Sequence, residues 1–211
     1  MKKKATSLVL LLIMLICITP INAFANSDHK TIVINMNRSN FVDFLEIPTL
    51  KKQLENRGYI ALMNVRGDQG TGDNRSYASI GAGGRVNTYS TDFRGFKDVD
   101  KDNKITYESA TGKKAKGVND TDINLSINDN LDKGKYGSTL GELGQTLNNK
   151  DLSVSVLGNA DTGTKPEELN RNIAAMAMDN YGRIDSGNVD NINKKDDSMP
   201  FGLSTDYNKL K

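Results

Sequence analysis

The residues best suited to chemistry lie between Leu62 and Val86, in the run LMNVRGDQGTGDNRSYASIGAGGRV. An apolar segment there enters a loop rich in Gly and Asp, and a small-residue turn follows it. The glycines at 67, 70 and 72 free the backbone for positive φ and for close approach to a ligand. The SYASIGAG that follows places Ser76, Tyr77 and Ser79 where a loop hands over to a helix. Free N–H groups and the positive end of the helix dipole favour a phosphate or sulfate at such a place. A surface Ω-loop whose glycines only turn the chain would look the same by residue type.

A second group of chemical residues is Asp98, Asp100 and Asp102, which alternate and are followed by Asn103, Ile105 and Glu108. The spacing is similar to the start of a calcium loop of the EF-hand or dockerin kind. The match is partial, because Glu108 falls at loop position 11 rather than 12 and Asn103 replaces the usual Gly at 6. Calcium is the ligand this group would take, against the plainer reading of a solvated acidic turn.

Those residues have to be positioned by the elements around them. The chain opens with Met1-Lys2-Lys3-Lys4, an apolar run from Leu8 to Ile18, then Pro20 and Ala23-Phe24-Ala25 before Asn26. Basic start, short apolar core and small residues at −3 and −1 are the three parts of a secretory signal peptide, here residues 1–25. The expected product is secreted or held at the cell surface. Its domain, 26–211, is roughly 186 residues long, enough for one sizeable core. The single Cys, Cys17, lies in the leader, so the mature chain has no thiol and its redox compartment imposes nothing. The net charge of +2 includes three leader lysines, so no basic face argues for nucleic acid. Nothing after residue 25 is long and apolar enough for a membrane helix. The absence of Trp and a mean hydropathy of −0.53 fit a well-solvated surface with long loops.

Thr31 to Met36 reads as a strand buried on both faces, ending at Asn35, Asn37, Arg38 and Ser39. Pro48 opens a helix through about Asn56, with Leu50 and Leu54 on one face and Gly58 ending it. Tyr59 to Val65 reads as a second strand, and strand, helix and strand in sequence predict a right-handed crossover and a parallel pair. Residues 87–127 are polar and weakly periodic, which reads as an irregular insertion or lid. Thr139 to Leu147 reads as a helix, Leu152 to Leu157 as a strand, and Asn159 to Thr162 as polar ligands at its carboxyl end. Pro166 starts another helix, and Ala174 to Met178 is expected as a strand before the turn at 179–182, with Arg183 to Asp185 resuming it. The fold class expected is α/β, a mainly parallel sheet with crossover helices and a long irregular insertion.

In order along the chain, TIVINMNR, LMNVRGDQGTGDNRSYASIGAGGR, LGELGQTL, VSVLGNADTG, AAMAMDNYGRIDSG and PFGLSTDY resemble segments of the amino-terminal half of secreted proteins in the alkaline phosphatase superfamily. IGAG followed by Arg85 is similar to the IGAGR of cofactor-independent phosphoglycerate mutases. The resemblance spans most of residues 31–207 and implies a site for phospho- or sulfo-transfer to or from a small anionic ester. Enzymes of this kind hold two divalent metals, zinc, manganese or magnesium, by Asp and His, and a Ser or Thr alkoxide attacks the ester. Carried over, the first-strand Asp ligand falls on Asn37, a poorer ligand for a hard dication than a carboxylate. Thr71 is the hydroxyl nearest the nucleophile's offset, Ser76 is the alternative, and a strict count from IGAG lands on Asp73. Asn37 and Asp73 would stand on the metal side, with Arg85 and Asn159 as substrate contacts. The superfamily takes its remaining ligands from a carboxyl-terminal half, whereas this chain has one His, His29, near the expected cleavage point. The resemblance therefore implies a truncated or degenerate enzyme, inactive by itself. The alternative is a non-catalytic secreted module that binds an anion or calcium.

Overall fold

The computed structural model describes residues 30–36, 39–61, 63–70, 72–89 and 93–209. The leader, His29, Asn37 and Thr71 lie outside them, so the readings placed on those residues have no structural counterpart here. The chain divides into two units, Met1–Phe41 and Val42–Lys211. In the first, residues 31–36 form no strand with any other described residues, and Ile32, Val33 and Ile34 are 81%, 65% and 71% exposed. That corrects the buried-strand expectation: β-branched composition favours a pleated surface only where another strand supplies the ladder.

The second unit is mixed α/β. Helix α1 (Phe41–Glu46) opens at the boundary, and α2 (Pro48–Arg57) follows as expected, started by Pro48 and closed by a Gly58 N–H to Leu54 O bond of 3.2 Å. Neither helix has a buried residue. The described residues of the expected strand at 59–65 form none, and no crossover pair forms among the described residues. Then come α3 (Asp73–Ala82), β1 (Phe96–Asp98), α4 (Lys101–Thr111), β2 (Val118–Asp120), α5 (Ile123–Lys133) and α6 (Glu142–Asn148). β3 (Ser155–Leu157), α7 (Asn172–Ala177), β4 (Arg183–Ile184), β5 (Ser186–Asn188), β6 (Asn193–Lys195) and β7 (Leu203–Thr205) complete the order.

Residues 93–127 are not irregular. β1 and β2 pair antiparallel, Phe96 opposite Asp120, and β4 joins the other edge of β2 antiparallel. Phe93, Phe96, Tyr107, Val118 and Ile123 are all fully buried, so this stretch supplies much of the core rather than a lid. Among the described residues parallel pairing is confined to β3 with β5, Ser155 opposite Ser186, and β6 with β7 is antiparallel. Strands of two or three residues carry too few alternations to show a period, which is why the polar stretch gave no signal. Pro166–Glu168 makes only a single 3₁₀ turn.

Ala174–Met178, expected as a strand, lies in and just after α7. A short continuous apolar run does not distinguish a buried strand from a buried helix. The deciding contact is tertiary: α7 packs its buried Ala174 and Ala175 against Ala78, Gly81 and Ala82 of α3. A Cβ on Gly81 would sit 2.7 Å from Ala175 O and 2.8 Å from Met176 O. On α6, a Cβ on Gly144 would meet Met178 O at 2.3 Å. Small residues thus let three helices approach to backbone contact.

A side chain larger than hydrogen at position 81 has to push α7 away. Gly81→Val is expected to cost on the order of 3 kcal/mol and to lower Tm by roughly 10 °C in thermal denaturation. Gly83→Ala, at φ 61° but with no atom near its Cβ, should cost only about 1 kcal/mol.

Candidate functional site

The glycine loop is built, not slack. Gly67 and Gly70 pair as a one-residue antiparallel bridge around Asp68 and Gln69, with Gln69 at φ 56°. Asp68 is buried; its N–H donates to Val86 O at 3.0 Å, and its carboxylate accepts the Lys135 N–H at 2.6 Å. Gln69 Nε2 donates to Lys133 O at 2.8 Å, and Arg75 Nη1 donates to Gln69 O at 3.2 Å. A Cβ on Gly67 would fall 2.2 Å from Arg75 Cβ, so only glycine lets the loop lie on the helix. The carboxyl end of α5 and the first turn of α3 therefore hold the loop from two sides.

Helix α3 starts at Gly72 with no side-chain cap, and Asp73 stands exposed in its first turn. Ser76 is half-buried, and its Oγ donates back to Gly72 O at 3.2 Å, the same carbonyl that accepts the Ser76 N–H at 3.0 Å. Asn74 Nδ2 donates to Thr88 Oγ1 at 2.7 Å. At the far end of α3, Gly83 takes the left-handed conformation that closes a helix. Arg85, expected on an ester oxygen, instead donates from Nη1 to Tyr136 Oη at 2.8 Å and lies 5.1 Å over the Tyr136 ring. The nearby Asn87 is buried, receives its partners from Asn130 and Asp129 of α5, and ties the segment after α3 to that helix.

Asn159 belongs to a different group. Its Nδ2 donates to Val189 O at 2.6 Å, while its Oδ1 accepts Asn193 Nδ2 at 2.6 Å and the Asp161 N–H at 3.2 Å. Asp98 meets the same residue from the other side, its carboxylate accepting the N–H groups of Val189 at 2.7 Å and Asp190 at 3.2 Å. Beside them Arg171, 4% exposed, donates from Nη1 to Asp190 and to Phe96 O, and from Nη2 to Asp161 at 3.2 Å. One buried guanidinium thus joins β1, the 158–170 loop and the turn after β5. Burial pushes the carboxyls of Asp98 and Asp161 up, against the hydrogen bonds and the Arg171 charge that pull them down. Sequence reasoning singled out Asp98 and Asn159, and took in Asp161 with the polar ligands at 159–162, but not Arg171 or Asp190, whose separations along the chain form no motif. No hydrogen bond or ion pair among the described residues links this group to Asp73, Ser76 or Arg85.

The acidic alternation at 98–108 has a structural use. Asp100 caps α4, its carboxylate accepting the N–H groups of Asp102 at 2.9 Å and Asn103 at 2.8 Å, while Asn103 Oδ1 accepts the Asp100 N–H at 3.0 Å. The residues that resemble a calcium loop thus spell a capping box. Glu108 accepts the Ala115 N–H at 3.0 Å, and Asp102 is exposed. Among the described residues no three His, Cys, Asp or Glu side chains lie where they could hold a metal ion.

No family model, curated protein or solved structure matches this chain. Among the described residues, no helix is long and apolar enough to cross a membrane.

Asp120, at the end of β2, is the most perturbed acid. Its carboxylate is buried, accepts the Asp122 N–H at 3.0 Å and lies where a Cβ on Gly95 would be 2.1 Å away. Desolvation, with Asp122 adding to it, raises its pKa to about 7. The folded state therefore holds this proton more tightly than the unfolded chain. Its stabilising effect is complete below the unfolded pKa near 4 and is lost as pH rises through about 7. Denaturant unfolding should show stability falling by up to about 4 kcal/mol across that window, and Asp120→Asn should remove most of the slope and be more stable than wild type at pH 8. Asp100→Ala should cost about 1 kcal/mol through loss of the cap, with or without calcium in the buffer.

Proposed function

We propose that this chain is an exported, alkaline phosphatase-like α/β domain of a phosphoester or sulfoester hydrolase or phosphotransferase, and that its glycine loop receives the tetrahedral oxyanion. The observation that carries the reading is the joint of loop and helix: α3 begins at Gly72 without a side-chain cap, directly after a loop fixed by Asp68, Gln69 and Arg75. Uncapped N–H groups at the start of a ten-residue helix suit an anion, and a rigid approach lets them meet it without reorganisation. The order of the resembling segments adds the reaction class. Ser76 already donates to Gly72 O, which favours Thr71 as the hydroxyl that attacks.

A specific observation favours a second reading, a secreted anion-binding module without catalysis. Arg85 is held by Tyr136, and Asn159 by Val189 and Asn193, so neither side chain is free to follow a substrate through its transition state.

The test is hydrolysis of p-nitrophenyl phosphate and p-nitrophenyl sulfate with zinc, manganese or magnesium, beside thermal unfolding in phosphate or sulfate. Turnover abolished by Thr71→Ala establishes the enzyme. No turnover, with Tm raised several degrees at millimolar anion and the rise lost on placing a carboxylate at the start of α3 by Gly72→Asp, establishes the binding module. Neither turnover nor protection removes both.

A further inference from the structure

We propose that the segment Tyr59–Arg66 adds as a strand to the open edge of a β-sheet in another polypeptide. This rests on no assumption about the glycine-loop site. Its described residues, Tyr59–Ala61 and Met63–Arg66, have no helix, strand or turn and make no hydrogen bond of any kind. Tyr59, Ile60 and Met63 are 98%, 66% and 73% exposed. An apolar stretch with bare amides and carbonyls leaves two demands unmet: side chains that water disfavours and main-chain groups that a purely apolar cover would strand. A lipid surface or a helix face would satisfy the first and violate the second. A strand edge satisfies both.

The sequence narrows what that edge looks like. Apolar residues fall on both alternations, Tyr59, Ala61, Met63 and Val65 on one and Ile60 with Leu62 on the other. Such a strand is covered on both faces, as in the interior of an α/β sheet. Pairing with a second copy would give a two-stranded ribbon with both faces still wet, which is marginal at best. The acceptor is therefore an existing sheet whose layers overhang its edge. Tyr59, Ile60 and Met63 offer on the order of 500 Å² towards the roughly 800 Å² per partner of a stable interface, and ladder bonds and the rim supply the remainder. Charge adds a second constraint. Arg57 and Arg66 bracket the run, and Lys51 and Lys52 precede it against Glu55 alone, so acidic residues rim the acceptor edge. Thr31–Ile34, in the other unit, repeats the combination of β-branched sequence, full exposure and missing hydrogen bonds.

The experiment places the photo-crosslinker p-benzoylphenylalanine at position 60, and separately at 63, in the full chain expressed by the producing cells. Crosslinked peptides are sequenced, and amide exchange of residues 59–66 is compared between the isolated chain and the crosslinked complex. Crosslinking to one edge strand of a different polypeptide, with alternate amides of the segment slowed at least a hundredfold, is the expected result. Ala61→Pro and Asn64→Pro have their N–H groups on opposite edges of an extended strand, so one of the two removes a ladder N–H while keeping the apolar faces. Since neither residue makes a hydrogen bond here, Tm should stay unchanged in both while crosslinking falls at least tenfold in the variant whose position faces the acceptor. Crosslinks only within the chain, to a second copy or to lipid overturn the proposal. So do unprotected amides in the complex, or proline variants that both crosslink like wild type.

Discussion

The approach of α3 to α7 is the constraint on which the second unit depends. At Gly81 the two backbones come so close that a single added carbon would overlap two carbonyl oxygens. Gly144 brings α6 against the end of α7 in the same way. Dispersion between closely packed small residues is weak per atom but is realised over the whole contact, and it demands that every one of them stay small. Because α3 is fixed, its first turn is fixed, and so is the bridge Gly67–Gly70 that lies on Arg75. The candidate anion end of the helix is thus positioned from its opposite end, about ten residues away.

Around that packing the polar groups are arranged to satisfy buried main chain rather than to meet a ligand. Arg171 holds Asp161, Asp190 and the Phe96 carbonyl together, and Asp98 takes the amides of the turn after β5. A buried ion pair adds little net stability over an apolar substitute, but removing one partner strands the others, so the cluster defines which segments meet. Asp120 works similarly: it caps a turn at the end of the central strand of the small antiparallel sheet, at the cost of holding a carboxyl where water is excluded.

How much of this was legible in the chain depends on element length. Helix α2 was readable because Pro48 starts it and Gly58 stops it, and β3 because LSVSV alternates over five residues before Leu157. The candidate loop was readable because Gly, Asp and Ser at those positions have few other uses. β1, β2 and β4 were not, since two or three residues show no period, and α4 was hidden by a capping box that looks like a calcium loop. Arg171 could not be found at all, because its partners lie at 96, 161 and 190 and only folding makes them neighbours.

What the sequence determined alone is local: where helices can start and stop, where glycine is obligatory, which runs are apolar enough to need cover. Tertiary structure decided which apolar runs receive that cover. IAAMAM became a helix because Gly81 admits it, whereas the described residues of TIVINM and YIALMNV, richer in β-forming residues, pair with no strand among the described residues. The reason is physical: a helix satisfies its own backbone hydrogen bonds, and a strand must be given them by a neighbour.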